Sequence, residues 1–393
     1  MTPKNGLRYG IRTTVRYLLQ LAPGTASPCR RTGSINSVTS VTTAPAHTID
    51  PTRFPRAEGY PPLRFMGSKH RLLPWLGSVF DDLKFDSALD AFSGSGCVSY
   101  LLKTMGKQVW ANDFLRFTTD LATATVVNSD ETLVQHEVDA LCNRRGPSDG
   151  YIEETFRGIF FDDADNRFLD TVWSNLEDLS PSTRAIALAA LYRACLKRQP
   201  RGVFTVSGIG RYDDGRRDLR MTLEQHFREG TDLFNGLVFH NGHDHRATCG
   251  DALAITDADV DLVYLDPPYV PRADDNCYIK RYHFLEGLST RWVDAEFHPT
   301  SKVKKLKKRF TPFSYRRHAE VAFDTLFKAF AESTIVLSYS SNGFPDLESL
   351  CRLLKRYKAS VEVVERPHRY HFGTHGGVAK DRAVVTEYLI VGQ

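Results

Sequence analysis

The sequence predicts an α/β chain built on a doubly wound, Rossmann-like sheet and interrupted by a long, mainly helical insertion. Two strand units and one spacing predict it. Ser87 to Asp90 reads as a short strand that runs into the glycine turn Ala91-Phe92-Ser93-Gly94-Ser95-Gly96 and then a helix through about Met105. Val260 to Leu265 reads as a buried strand ending in Asp266-Pro267-Pro268-Tyr269. With short loops, such a sheet passes from its first strand to its fourth in roughly 75–100 residues. Asp90 and Asp266 lie much farther apart than that. The surplus is placed at 130–245 as an inserted domain, leaving 60–129 and 246–393 for the sheet.

The elements follow in chain order. Residues 1–59 hold Lys4, Arg8, Arg12, Arg16, Arg30 and Arg31, no acid before Asp50, and many Ser and Thr, which predicts a disordered basic extension and is also compatible with a transit-like leader. The glycine turn lets backbone approach a ligand closely. Gln108 to Ala111 is the next strand and closes on Asn112-Asp113, with Asp113 at 19 residues after Gly94, where an acid in a Rossmann-like unit reaches ribose hydroxyls. Alone, this unit also fits a nicotinamide dehydrogenase. No Gly-Lys-Ser/Thr follows the glycines, so a phosphate-binding Walker loop is excluded. Ser99 stands where dinucleotide sites prefer a third glycine, and a helix start of this kind fits a cofactor bearing an amino-acid group, such as S-adenosylmethionine.

Within the insertion, Arg184 to Leu196 is an apolar helix, and then Lys197, Arg198, Arg201, Arg211, Arg216, Arg217 and Arg220 crowd against Asp213, Asp214 and Asp218. Gly202 to Gly210 alternates like a strand and meets a turn signal at Asp213-Asp214-Gly215, so the segment reads as a basic hairpin or loop. After the prolines, the run Asp274 to Leu288 is rich in aromatics. Its Phe284, Leu285 and Leu288 are expected to dock a helix on the core. In Ser301 to Phe310, Val303, Leu306 and Phe310 fall at i, i+3 and i+7, which predicts a helix burying one stripe and presenting six cations. Ser333 to Tyr339 is a buried strand followed by a helix from about Phe344 to Tyr357. Val361 to Val364 and Val384 to Ile390 are the last strands, and the stretch between them, with Tyr370 and Phe372, either lines the pocket or forms a surface loop.

The tetrapeptide Asp266 to Tyr269 suits a base amino group. An exocyclic amine is a poor nucleophile because its lone pair is delocalised into the ring, so an enzyme that alkylates it must hydrogen-bond the amino hydrogens. Asp266 can accept one. Pro267 has no N–H and a fixed φ, so its carbonyl can be held as a second acceptor, while Pro268 stiffens the turn. Tyr269 can stack on the base, which must first leave its duplex.

At these residues the chain resembles the adenine-specific DNA methyltransferases of the Dam-like group, whose motifs run in the same order. Phe65-Met66-Gly67-Ser68-Lys69 matches their amino-proximal segment, Asp90 to Gly96 their glycine loop, Gly250-Asp251-Ala252 a third cofactor segment, and Asp266 to Tyr269 the catalytic motif. The resemblance covers roughly 61–392. It implies a class I S-adenosylmethionine-dependent methyltransferase sheet whose insertion recognises the DNA target. Phe65, Met66, Gly67 and Lys69 would hold the methionine end of the cofactor. Asp90, Phe92, Gly94, Gly96, Asp113, Asp251, Ala252 and Asp266 would complete its site, with Asp251 toward the adenine. Related cytosine enzymes usually carry Ser at the first catalytic position and protein-directed ones Asn, so Asp266 favours adenine in DNA.

A DNA substrate gives the basic and aromatic residues a task. Arg198, Arg201, Arg211 and Tyr212 lie in the recognition region, where Gly202-Val203-Phe204 and Gly210-Arg211-Tyr212 loosely echo a family segment. Tyr278 and Tyr282 could stack on or wedge beside bases, with Lys280 and Arg281 holding the strand. Lys304 and Lys305 could neutralise phosphates. The 1–59 extension could serve as a weak DNA-binding arm. The family is mostly bacterial or phage-borne, which implies a cytoplasmic protein that modifies double-stranded DNA, either with a cognate restriction endonuclease or alone. An RNA adenine methyltransferase and a catalytically silent DNA-binding module are the competing readings.

Composition adds bounds. The chain has 393 residues, 41% of them hydrophobic, enough for a substantial core plus a smaller domain. A formal charge of +4 makes DNA affinity a matter of local patches. Seven cysteines without a Cys-x-x-Cys pair point to a reducing compartment and away from structural zinc. His240, His243 and His245 read as a polar loop, and no metal is expected. No stretch reads as a signal peptide or membrane span.

Overall fold

The strands expected around the glycine turn, before the prolines and at the C-terminus all form, and they share one sheet. The structure is a computed structural model and describes residues 53–143, 149–207, 214–256, 258–270, 277–369 and 384–393. Strands β1 (Ser87–Asp90), β2 (Gln108–Asp113), β3 (Arg246–Cys249), β4 (Leu262–Leu265), β5 (Thr334–Ser340), β6 (Val361–Arg369) and β7 (Val384–Gly392) lie in the order β3-β2-β1-β4-β5-β7-β6. The first five are parallel, and β7 runs antiparallel between β5 and β6.

Side chains alternate across the parallel strands, as the pleat requires. Leu262 and Tyr264 of β4 enter one apolar cluster, Val263 and Leu265 the other. The helices are α1 (Pro55–Glu58), α2 (Leu73–Asp81), α3 (Cys97–Thr104), α4 (Arg116–Ala122), α5 (Gln135–Cys142), α6 (Tyr151–Phe156), α7 (Asp163–Ser174), α8 (Pro181–Arg198), α9 (Arg217–Arg220), α10 (Leu223–Asn235), α11 (Tyr278–Thr290), α12 (Arg316–Ala329) and α13 (Leu347–Leu354). Phe323, Leu326 and Phe327 of α12 and Leu350 and Leu354 of α13 cover one face. α2, α3, α4 and α11 cover the other, and the helices between β2 and β3 join that same apolar cluster.

Polar ties fix the insertion to the sheet. Tyr192 of α8 donates to Asp120 of α4 at 2.6 Å, and the Trp173 indole donates to the Leu288 carbonyl at 2.6 Å. α8 starts at a Ser180 cap followed by Pro181. It crosses α10 at Ala190 and Gly230, where a β-carbon on Gly230 would lie 3.0 Å from that of Ala190.

Several expectations need correction. Within residues 53–59, assigned to the extension, α1 forms one turn that buries Ala57, and Phe54 before it packs half-buried on the core. Residues 1–52 lie outside the described residues, as do Gly208 to Asp213 with Arg211 and Tyr212, Asp274 to Asn276, and Tyr370 and Phe372. The described part of the proposed strand, Gly202 to Ser207, is irregular. It is held instead by Phe204, whose N–H donates to the Arg281 carbonyl at 2.8 Å and whose ring stacks on Phe284. Residues 301–310 form no helix. Lys304 adopts φ 54°, Leu306 bridges Phe297, and only Val303 of the expected stripe is buried, while Phe310 is 60% exposed. A helix there would set Lys304 against Lys308 and Lys305 against Arg309 one turn apart, like-charge pairs that oppose it.

The last turn of α11 is tied to α4 by one side chain. Glu286, almost fully buried, accepts from the N–H groups of Arg116 at 2.8 Å and Phe117 at 3.4 Å and from Arg309 at 3.0 Å. Two of the donors left open at the start of α4 are thus satisfied by a side chain distant in sequence. Glu286→Ala is expected to lower the unfolding free energy by about 1–3 kcal/mol, read from urea denaturation, with Glu286→Gln retaining part of it.

Candidate active site

The sheet order changes direction at β1, whose neighbours β2 and β4 receive the chain from opposite sides, and ligands in such sheets bind beyond the carboxyl ends of the strands there. A cleft of about 1020 Å³, measured to its open mouth, occupies that position. This is room for a nucleoside-sized ligand. Asp90 ends β1, Asp113 ends β2 and Asp266 follows β4, so three carboxylates converge because three parallel strands end together.

The glycine turn between β1 and α3 shapes the floor. Gly94 and Gly96 have φ of 50° and 78°, and a β-carbon on Gly96 would lie 2.8 Å from the Tyr60 hydroxyl, which itself donates to the Ser95 carbonyl. Gly94 donates its N–H to Asp113 at 2.8 Å, and Asp113 accepts from the Leu115 N–H at 2.9 Å. Asn112 bridges the Ala91 and Gly250 carbonyls, both at 3.1 Å, which fixes β1, β2 and the Gly250-Asp251-Ala252 segment to one another.

Asp90 is 1% exposed and accepts from Ser99 at 2.6 Å through one oxygen, while Oδ1 has no partner. Burial pushes its carboxyl up to about 7, with the Ser99 hydrogen bond pulling the other way. Ser99, in place of a third glycine, thus has a use: it holds half of a buried carboxylate. An open buried oxygen, Asp113 on the neighbouring strand and the apolar wall of Phe92 and Phe313, whose rings meet edge to face at 5.4 Å, together fit a ligand with an ammonium group, a sugar and an aromatic base.

The amino-proximal segment closes the cleft from the other side. Phe65 stacks on Tyr282 at 4.9 Å, Met66 donates its N–H to the Tyr282 hydroxyl at 2.6 Å, and Tyr278 donates to the Met66 carbonyl at 3.2 Å. Lys69, 5% exposed, donates to Asp266 at 2.8 Å and to the Gly67 carbonyl at 3.3 Å. Its ammonium is therefore engaged with the catalytic-motif carboxylate. Burial pushes the Asp266 carboxyl above its ordinary range, and Lys69 opposes that rise.

The cofactor candidates Phe65, Met66, Gly67, Lys69, Asp90, Phe92, Gly94, Asp113, Asp251, Ala252 and Asp266 all line this cleft, and Gly96 shapes the turn beneath it. Within the catalytic motif, Asp266 and Pro268 face the cleft, Pro267 is buried, and Tyr269 packs edge to face on Tyr339 at 5.5 Å. The DNA candidates are scattered. Tyr278 lines the cleft, but Tyr282 is fully buried and serves the amino-proximal segment, so it cannot wedge between bases. Arg198 is spent on Asp165 at 2.8 Å, Asp162 at 3.2 Å and the Leu219 carbonyl. Arg201, Lys280, Arg281 and Lys305 are part-buried and Lys304 is exposed. Arg309, Thr311 and Phe313 also wall the cleft, and the expected helix at 301–310 had hidden that role. His245 is bonded to Asn241 at 3.0 Å and accepts from the Val109 N–H at 3.1 Å, and no metal-holding group of His, Cys, Asp and Glu exists among the described residues. Nor, among them, is any helix long and apolar enough to cross a membrane.

A mostly parallel sheet ending in an antiparallel strand, with a glycine turn and an Asp-Pro-Pro-Tyr motif sharing one cleft, defines a Rossmann-like methyltransferase. The family model for D12 class N6 adenine-specific DNA methyltransferases matches residues 65–339, and the chain belongs to that family. Among its relatives, Type II methyltransferase M2.HphI of Haemophilus parahaemolyticus is 29% identical over 335 residues, 79% of this chain and 92% of the relative. Type II methyltransferase M.NlaIII of Neisseria lactamica is 22% identical, covering 78% of this chain and 92% of the relative. Modification methylase StsI of Streptococcus sanguinis is 24% identical over 78% of this chain and 48% of that protein.

The glycine turn supplies a stability test. Gly96→Ala adds a β-carbon at a left-handed φ against a buried tyrosine hydroxyl. It is expected to destabilise the fold by about 1–3 kcal/mol in urea unfolding.

Proposed function

We propose that this adenine-specific DNA methyltransferase takes its methyl group from S-adenosylmethionine and delivers it to the N6 amino group of an adenine flipped out of duplex DNA. One observation carries the reading: Asp266 opens into the same cleft as the half-satisfied Asp90 and the glycine turn, so donor and acceptor sites are contiguous. Asp90 would accept the cofactor ammonium, Asp113 the ribose hydroxyls, and Phe92 and Phe313 would flank the adenine ring, with Asp251 at its edge.

When bound, the cofactor supplies an activated methyl: the amino lone pair closes the new N–C bond while the C–S electron pair stays with sulfur, and the amine sheds one proton. Asp266 and the Pro267 carbonyl accept the two amino hydrogens, which draws the lone pair out of the ring. Asp266 need not deprotonate the neutral amine, because the proton turns acidic only as the N–C bond forms, and it can then leave to Asp266 or to water. Rate enhancement would come from in-line positioning and from these preorganised acceptors. Tyr269 would stack on the flipped base.

The segment 130–245 is assigned as the target-recognition insertion of a catalytic domain formed by the flanking residues. Arg201, Lys280, Arg281, Lys304 and Lys305 remain the candidates for backbone contacts, together with Arg211 and Tyr212 outside the described residues. The names of the relatives, Type II methyltransferase and modification methylase, support a companion restriction endonuclease acting at the same site.

Two outcomes test the reading. Protein incubated with radiolabelled S-adenosylmethionine and, in parallel, unmethylated DNA or RNA should place label on N6-methyladenine of the DNA after digestion to nucleosides, whereas label only on the RNA would favour the RNA-directed alternative. Asp266→Ala should cut that label by about 10²–10³-fold, the range expected for loss of a preorganised transition-state contact, while cofactor binding survives. Asp90 sets a pH dependence. Its carboxylate, the form that accepts an ammonium, is lost as pH falls through about 7, so cofactor Kd should rise several-fold between pH 8 and pH 6 in titration calorimetry. Asp90→Asn should bind weakly and without that slope.

A further inference from the structure

Lys69 reaches Asp266 from a segment almost two hundred positions away in sequence, and the pair sits over a polar row on one face of the sheet. Tyr264 of β4, Ser338 and Ser340 of β5, and Glu387 of β7 point to that face, with Ser340 directly opposite Glu387 in the register. Glu387 is 1% exposed, and its charge acts on both Lys69 and Asp266.

We infer that Lys69 is a positioning residue for methyl transfer: it aims the Asp266 carboxylate into the cleft and keeps it ionised against burial and against Glu387. This rests on the reading of Asp266 as the acceptor of the amino hydrogens. A protonated Asp266 would present an O–H toward an amine and would compete for its lone pair; a carboxylate can only accept. An isolated buried carboxylate neutralises instead of remaining charged, so a fixed cation is needed. Lys69 meets that need at 2.8 Å, and the Gly67 carbonyl at 3.3 Å sets its direction.

Among the described residues, the groups facing this pair are few. Asp90 on β1, Cys97 on α3, Tyr264 on β4, Tyr269 in the catalytic motif, Tyr278 on α11, Glu387 on β7 and His368 on β6 act on Lys69, Asp266 or both. Burial raises Tyr264, Tyr278 and the Cys97 thiol, so these three stay neutral at working pH. Burial lowers His368, which keeps it uncharged near neutrality. Asp90 is engaged by the cofactor at saturation. Among the described residues, Lys69 is the cation left: burial pulls its pKa down, but Asp266 and Glu387 outweigh that and hold it well above the ordinary lysine range.

The test is the pH profile of single-turnover methyl transfer at saturating S-adenosylmethionine and DNA. Lys69→Met should move the acidic limb up by about one to three pH units, the effect of deleting a close opposite charge, so that its rate falls roughly 100-fold at pH 6.5 and recovers to within about tenfold at pH 9. Lys69→Arg should restore part of the loss at pH 6.5. Because Lys69 also lines the cofactor side of the cleft, cofactor Kd in Lys69→Met is measured alongside, and the rates are compared only at saturation. Glu387→Gln should move the limb down, and it decides the question if Lys69→Met does not fold. An unshifted profile in either folded variant, or a Lys69→Met defect confined to cofactor KM, overturns the inference. Parent protein that makes no N6-methyladenine at any pH would instead overturn the proposed function.

Discussion

Asp90 and Asp266 end adjacent parallel strands, and the sheet holds both out of bulk water at the same edge. Removing carboxylates from water costs several kcal/mol each unless hydrogen bonds or a cation compensate. The chain answers each one differently. Asp90 receives a serine hydroxyl from the helix that follows it and keeps one oxygen open. Asp266 receives an ammonium from a segment remote in sequence. The first arrangement leaves one buried oxygen facing the cleft, while the second pairs its carboxylate with a fixed cation. The two carboxylates thus differ in the partner each meets.

The amino-proximal segment depends on that compensation and repays it in geometry. Lys69 is delivered to Asp266 only if residues 65–67 stay in place, and Tyr278 and Tyr282 of α11 hold the Met66 backbone from both sides. α11 is in turn braced by its own Glu286 against the start of α4 and by Phe204 of the insertion. Arg64 extends the brace by donating to the Gln199 carbonyl at 2.9 Å and to Asp218 at 2.7 Å. The insertion therefore reaches the wall of the cleft through packed elements.

Much of this was legible in the sequence, and the failures have identifiable causes. The buried strand before Asp266 and the strand at Ser333 to Tyr339 were plain because continuous apolar runs of that length between turn residues have few other uses. The cleft residues of the glycine turn were plain because left-handed turns demand glycine. Residues 301–310 misled because a helical spacing of three apolar residues was weighed without the like charges between them, and tertiary contact stretched the segment into a strap instead. Arg198 and Tyr282 misled for a common reason: a cation or a tyrosine looks available until its partner, distant in sequence, is seen.

Glu387 was the least legible of the residues now tied to Asp266. It lies in an alternating C-terminal strand where an acid reads as an outward-facing residue of an edge. Two facts of topology reverse that reading. β7 is inserted between β5 and β6, so it has no free edge, and its antiparallel register places Glu387 against Ser340 on the same face as Tyr264 and Lys69. A strand one residue out of register would turn that carboxylate to the opposite face and leave Lys69 with Asp266 alone. The charge balance around Asp266 is therefore encoded in three places, the amino-proximal segment, the end of β4 and the register of β7, and it exists only once the sheet has closed around them.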